Sequence, residues 1–370
     1  MTELSATPCH VCGGELSLFA GFSDLIQVAS DCRPWRANGK MAVCRDCGTV
    51  QKPVDRDWRE SCDAIYSSYA IYHQGAGSEQ LVFNRGGAAM PRSARIVQTL
   101  RQKRQLPEQG RLLDVGCGNG AFLAAFGAAM PGWRMIGVEL TDTNRATVEK
   151  LPGVERLHVG DVDGVTGAFD MVVMIHSLEH IPDPRAMLRR LGKKLAPGGH
   201  LLIEVPNCPD NPFDLLVADH CTHFSDRSLR AVVQNSGFAV ELLSADWVPK
   251  ELSLLARIGE GGGAELAGGE FAERQIDWLH RLRDAAMDQP GSVGIFGTSI
   301  AGSWMAAQLG GKAGFFLDED PSRIGKDYLG LPVISPLATL PADAAVMLPF
   351  PPAIAEAIAR RLPAIRFVHP

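Results

Sequence analysis

Four of the nine cysteines in this 370-residue chain fall into two C-x-x-C pairs, Cys9-His-Val-Cys12 and Cys44-Arg-Asp-Cys47. Two intervening residues let a tight turn aim both thiolates at one point, and two such pairs make the tetrahedral sulfur set of a Zn2+ ion. Gly13 and Gly48 follow the pairs, as such turns favour. Four thiolates leave no open coordination position, so the expected role of this metal is structural. Cys32 and His10 are possible substitutes, but the paired spacing favours Cys9, Cys12, Cys44 and Cys47. Residues 17–42 must form a sizeable inserted loop between the pairs. Cys62, Cys117, Cys208 and Cys221 stand alone and read as small apolar fillers.

A second chemical stretch runs from Arg111 to Gly120, RLLDVGCGNG, with Gly116, Gly118 and Gly120 at alternate positions. Glycine permits positive φ and lets a ligand come close to the backbone. The helix expected next, AFLAAFGAAM, offers its free N–H groups to that ligand. With a dinucleotide such a corner cradles pyrophosphate, but Asp114, two residues before the first glycine, would repel phosphate and attract an ammonium. That points to S-adenosylmethionine, whose methionyl end carries an amine. Glu139 ends the next apolar run, WRMIGVEL, where it can accept from ribose hydroxyls. Asp161 follows the third run, LHVGDVDG, at a position for an adenine contact. His176 ends the fourth, FDMVVMIH, and is counted with the same donor site. The alternative is another cofactor on the same fold.

Methyl transfer is an in-line displacement, so the protein must position the acceptor and take its proton. Asp219, His220 and His223 lie within five residues after the fifth run, LAPGGHLLIEVPN. Histidine titrates near neutrality and suits a general base. His220 is the expected base, and Asp219 beside it is expected to orient the ring. His180 sits on a helix expected to begin near Ser177, over the carboxyl edge of the sheet, and serves as backup or substrate ligand. The competing readings are that these histidines cap a loop or pack a helix. Tyr66, Tyr69 and Tyr72 would share one helical face, for packing or for substrate. Arg85, Arg92, Arg95, Arg101, Lys103 and Arg104 form an acid-free stretch, either a solvated face or a diphosphate contact.

The elements that must position these residues alternate strand and helix, which reads as a doubly wound parallel sheet with its ligand at the carboxyl edge. A helix from Ser228 to Asn235 stops at Gly237. Beyond an amphipathic helix, FAERQIDWLHRLRDAAM, the run SVGIFGTSIAGSWMAAQL is again strand, glycine turn, helix. The turn from Gly294 to Gly302 does not match the dinucleotide fingerprint. The fold class is therefore α/β in three parts. A zinc module spans 1–75, a donor-binding Rossmann-like domain 76–247, and a smaller Rossmann-like domain 248–370 for substrate or support.

A net charge of −6 argues against a nucleic-acid partner. The start MTELSATPCH has neither the charged region nor the apolar core of a signal peptide, and no run of about 18 apolar residues suggests a membrane span. Unpaired cysteines with metal spacing fit a reducing, cytoplasmic setting.

The five runs in this order resemble class I S-adenosylmethionine-dependent methyltransferases over Arg111 to Phe238. The whole layout resembles the NDP-hexose C-methyltransferase family of deoxysugar biosynthesis. MAVCRDCGTVQ looks like that family's second zinc knuckle, and FDLLVADHCTHFS like its F-D-x-I-x-x-E-H-x-x-x-F-S segment. The resemblance implies a nucleotide-linked sugar as small-molecule acceptor, carbon as the acceptor atom and His220 as base, with Asp219 at the family's glutamate. His180 matches a histidine after strand four. Val217 stands where the family has an aromatic residue, Val248-Pro-Lys-Glu-Leu-Ser replaces its G-G-x-x-R, and Pro349-Phe-Pro-Pro replaces its W-N-x-A. The alternatives are transfer to oxygen or nitrogen, an RNA methyltransferase with a zinc ribbon, and a donor-binding scaffold without turnover.

Overall fold

The computed structural model describes residues 4–68, 79, 81–83, 89–260, 269–340 and 344–369. Its centre is a seven-stranded sheet built from β1 (Gly110–Val115), β2 (Trp133–Glu139), β3 (Val154–Val159), β4 (Phe169–Ile175), β5 (Leu195–Pro206), β6 (Phe238–Ser244) and β7 (Glu251–Ile258). The order across the sheet is β6-β7-β5-β4-β1-β2-β3. The first five strands are parallel, and β7 enters antiparallel between β5 and β6. Strand order reverses between β1 and β4, so the crevice for a ligand opens at their carboxyl ends.

The inner strands β1, β2, β4 and β5 are largely apolar because both faces are covered, whereas the edge strands β3 and β6 are mostly half-buried or exposed. Leu112, Met135, Met171, Val173 and Leu202 face the helices Arg92–Lys103 and Ala121–Ala129. Leu113, Ile136, Val172, Met174, Leu201 and Ile203 face the helices Pro184–Gly192 and Asp226–Gln234. Phe126 meets Trp133 edge-on, with ring centroids 5.2 Å apart. The helix expected near Ser177 starts later. A single 3-10 turn, Leu178–His180, comes first, and the helix begins at Pro184 with Asp183 capping Ala186 N at 2.8 Å.

The amino-terminal strands Leu16–Leu18, Ala42–Cys44 and Val50–Gln51 are antiparallel, and the fourth strand of their sheet is Thr222–His223. The cysteine module is thus continuous with the segment that carries the histidines. The long insertion also packs there. Val28 N donates to Leu216 O at 2.9 Å, and Ala218 N donates to Val28 O at 2.8 Å.

The boundary expected at 247/248 falls inside the central sheet, because β7 lies beyond it. The carboxyl-terminal unit has parallel strands Val293–Phe296, Ala313–Leu317, Leu331–Ile334, Ala345–Met347 and Phe367–Val368, with an antiparallel edge strand Asp327–Tyr328. That is the smaller Rossmann-like arrangement read from the sequence. The helix Glu270–Met287 joins it to the rest. Ile276, Leu279 and Leu282 share one core with Phe22 and Leu25 of the insertion, Phe213 of the histidine segment, and Trp304.

Candidate active site

At the end of β1 the chain turns through Gly116, Gly118 and Gly120, all with positive φ. A Cβ on Gly116 would lie 2.7 Å from the Cβ of Ser177, so donor turn and post-β4 turn touch. Ser177 Oγ donates to Val115 O at 2.8 Å. Gly120 is the left-handed cap of the helix Ala121–Ala129. Glu139 ends β2, where one carboxylate oxygen accepts from Gly118 N at 2.6 Å and the other from Leu140 N at 3.0 Å.

Asp114 is 1% exposed, and neither of its oxygens has a hydrogen-bond partner among the described residues. Burial, and then the nearby negative charge of Glu139, push its pKa well above the ordinary carboxylate range. A buried carboxyl of this kind needs a proton or a cation beside it. The methionyl ammonium of S-adenosylmethionine is such a cation. The three positive-φ glycines let a ligand come close to the backbone beside Asp114, so the residues present fit the donor.

The other donor residues are already engaged. Asp161 caps the 3-10 turn Val162–Gly164, accepting from Asp163 N at 2.8 Å, and its carboxylate pairs with Arg190. His176 has φ +50 and lies between two acids, with Nδ1 3.3 Å from Glu179 and Nε2 2.9 Å from Glu251. Burial and Arg92 oppose its charge, but Glu251 and Glu179 outweigh them and push its pKa up to about 9. It therefore balances charge between β4 and β7. Glu204 of β5, which the sequence reading missed, is fully buried with no hydrogen-bond partner for its carboxyl among the described residues, and burial raises its pKa strongly.

On the acceptor side the expected pairing changes. Asp219 does not hold His220. Its carboxylate accepts from Ser30 N at 2.8 Å and Ser30 Oγ at 2.5 Å, and lies 3.4 Å from His180 Nδ1. The residue that holds His220 is Asp214, six positions earlier, at 2.7 Å from Nδ1. Its second oxygen lies 2.7 Å from Nδ1 of His223. The 3-10 turn Pro212–Leu216 folds Asp214 back onto both rings, whereas the turn after Val217 sets the buried Asp219 against Ser30 of the insertion. The signal was an acid set in the apolar run FDLLVA.

Lys52, another missed residue, follows the strand Val50–Gln51 into the interior. Its Nζ donates to Leu215 O at 3.0 Å and Val217 O at 2.6 Å, and lies 3.4 Å from His223 Nε2. Burial pushes the Lys52 pKa down to about 8. Burial also pushes His223 down to about 4, with Lys52 adding to the effect and Asp214 opposing it. His223 is therefore a neutral brace. His180 and His220 have perpendicular rings 4.5 Å apart, and the Tyr66 hydroxyl lies 3.0 Å from His180 Nδ1. Against burial, Asp219 raises the pKa of His180. One turn, Ser177–His180, thus spans from the donor glycines to the histidine pair.

Tyr69, Tyr72 and Arg85 lie outside the described residues. Of the other expected cations, Arg92 pairs with Glu79 and Glu251, Arg104 with Glu241, and Arg95 donates to Trp247 O.

The four module cysteines converge, and their sulfurs lie within 4.8 Å of one another. Cys9 and Cys47 are 3.6 Å apart, and Cys12 and Cys44 are 3.4 Å apart. Four sulfurs at 2.3 Å from a zinc ion stand about 3.8 Å apart, so the set fits the ion with little movement. Gln51 Nε2 donates to Cys9 Sγ at 3.0 Å, which supports a thiolate. His10 and Cys32 are elsewhere: His10 Nε2 lies 2.8 Å from Thr222 Oγ1, and Cys32 O accepts from Tyr328.

Residues 89–243 match a family described as a methyltransferase domain. The chain is 34% identical over 119 residues to a ubiquinone biosynthesis O-methyltransferase of Marinobacter nauticus, covering 29% of this chain and 48% of that protein. It is 26% identical over 241 residues to a trans-aconitate 2-methyltransferase of Deinococcus radiodurans, covering 61% and 83%. It is 34% identical over 139 residues to a dTDP-4-amino-2,3,4,6-tetradeoxy-D-glucose N,N-dimethyltransferase of Saccharopolyspora spinosa, covering 36% and 54%. The chain spans about half the length of the first and third of these relatives. No helix among the described residues is long and apolar enough to cross a membrane. The parallel strands β1 to β5, the glycine corner and Asp114, which has no hydrogen-bond partner among the described residues, all lie within the stretch that matches the methyltransferase domain.

Proposed function

We propose that the protein moves the methyl group of S-adenosylmethionine to a small-molecule acceptor, and that this acceptor is a nucleotide-linked sugar methylated at carbon. The observation that carries the reading is Asp114, a buried carboxyl without a hydrogen-bond partner among the described residues, beside three positive-φ glycines. The sugar class is supported by the resemblance of MAVCRDCGTVQ and FDLLVADHCTHFS to the deoxysugar enzymes. It is also supported by the relative that is named for a dTDP-aminosugar. When bound, the donor supplies a methyl group already activated on a sulfonium. Asp114 takes the charge of the ammonium, and Glu139 takes the ribose. His220, with Nδ1 fixed by Asp214, takes the acceptor's proton on Nε2, and His180 orients the acceptor.

We infer as well that Cys9, Cys12, Cys44 and Cys47 hold one structural Zn2+ and so fix the strand that pairs with Thr222–His223. A second reading, transfer to oxygen or nitrogen, has in its favour the relatives named for O-methyl and N,N-dimethyl transfer. The test is a screen of nucleotide sugars for thermal stabilisation in the presence of S-adenosylhomocysteine, followed by transfer of a carbon-13 methyl to each hit. The carbon shift of the product distinguishes carbon, nitrogen and oxygen acceptors. Stabilisation by none of the sugars, together with transfer to another metabolite, would overturn the sugar class.

A further inference from the structure

We propose that Glu179, His180 and His220 form a second metal site, separate from the four thiolates, that takes a borderline divalent ion such as Zn2+ or Co2+ and silences the base while it is filled. One ring nitrogen of each histidine and one carboxylate oxygen of Glu179 lie within 4.8 Å of one another. Bonds of about 2.0–2.2 Å bring such ligands to roughly 3.0–3.5 Å apart, so a small closure of three side chains completes the set.

Three independent features point to a cation. First, both histidines have a carboxylate behind the ring. His220 Nδ1 is 2.7 Å from Asp214, and His180 Nδ1 is 3.4 Å from the carboxylate of Asp219 and 3.1 Å from its peptide oxygen. An acid or carbonyl on the far nitrogen is what metal-binding histidines usually carry, because it fixes the tautomer and leaves the other lone pair for the ion. Second, the rings are perpendicular, at 86°, and do not stack. Third, Glu179 is 1% exposed and neither of its oxygens accepts a hydrogen bond among the described residues. It pairs with His176, at 3.3 Å. His176 balances this carboxylate on one side, and the Glu179 oxygen within 4.8 Å of both other imidazoles still has lone pairs for an ion. Two nitrogens and one oxygen, with positions left open, suit Zn2+, Co2+ or Ni2+ rather than Ca2+ or Mg2+.

The consequence rests on the reading of His220 as base. An ion on Nε2 occupies the lone pair that would accept the acceptor's proton, so filling the site and taking the proton exclude each other. Free zinc or cobalt would then inhibit transfer without displacing the structural ion.

The experiment titrates Co2+ into the full-length, zinc-loaded protein and follows the visible absorption. One equivalent should give weak ligand-field bands without the strong near-ultraviolet band of thiolate-bound cobalt. Glu179→Gln and His180→Asn, each checked for an unchanged melting temperature, should lose those bands. Asp214→Asn should weaken cobalt binding by about 10–100-fold, the usual effect of removing a residue that orients a ligand. No bands beyond those of aqueous cobalt, bands that survive in both ligand variants, or a thiolate band would overturn the site while leaving His220 untouched. Bands that behave as expected beside undiminished methyl transfer would overturn the exclusion, and His220 as base with it.

Discussion

Asp114 lies where its charge has no partner, and the donor's ammonium is the group that would supply one. Its folded-state pKa is raised, so the folded form holds a proton that the unfolded chain releases above the ordinary carboxylate range. Stability contributed by that proton is present at low pH and is lost as pH rises from the unfolded value toward the folded one. Asp114→Asn should therefore raise the melting temperature of the ligand-free protein near neutrality by about 1–2 °C, the scale of about 1 kcal/mol for a chain of this length. The same change should weaken S-adenosylhomocysteine binding by about 1.5–3 kcal/mol, the size of a charged hydrogen bond. Calorimetry and a thermal melt on one sample check both signs. On the acceptor side, His220→Asn should lower turnover by about 10²–10⁴-fold and leave donor affinity intact. Because Asp214 acts through His220, the double variant His220→Asn/Asp214→Asn should be no slower than His220→Asn alone. An additive loss would give Asp214 a role of its own. Which acid serves which histidine was not legible from the sequence. Adjacency favoured Asp219, but the 3-10 turn at Pro212–Leu216 delivers Asp214 instead.

The elements show how the four-cysteine module reaches the histidine segment. The strand Val50–Gln51 pairs with Thr222–His223, and the next residue, Lys52, braces Leu215, Val217 and His223. Cys44→Ser should lower zinc content and turnover together while donor affinity changes little, since the donor corner belongs to the other sheet. Metal analysis beside calorimetry checks this, and retained turnover in metal-free protein would refute the coupling. Strands β1 and β2 were legible because they are largely apolar runs closed by glycine or acid, and β4 because it is an unbroken apolar run from Met171 to Ile175. Strand β7 was not, because Glu251-Leu-Ser-Leu-Leu-Ala-Arg is rich in helix formers. Pairing on both sides, with β5 and β6, overrides that preference. The late helix start was legible in hindsight, since Asp183-Pro184 is a helix cap followed by proline at the first position.

As a whole, the molecule is not three beads on a string. Phe22 and Leu25 from the insertion, Phe213 from the histidine segment, Leu279 from the connecting helix and Trp304 from the last unit are buried in one core. Trp304 meets Phe213 with centroids 5.9 Å apart. Trp304→Ala should cost about 3–5 kcal/mol, the range for a large aromatic in a core. It should do so within a single denaturant transition seen equally by methyl-donor protection and by zinc release. Two separated transitions would show that the units fold independently. Composition bounded the number of units but gave no sign of this shared core, because the contacts join residues hundreds of positions apart.

The claim at the centre of this account is that the corner of β1 and β2 holds S-adenosylmethionine. Calorimetric titration of the full-length protein with S-adenosylhomocysteine tests it most directly. The expected result is one site per chain, with affinity weakened by about 1.5–3 kcal/mol in Glu139→Ala and again in Asp114→Ala. Unchanged affinity in both variants, or no binding of the thioether alongside tight binding of NAD, would contradict it.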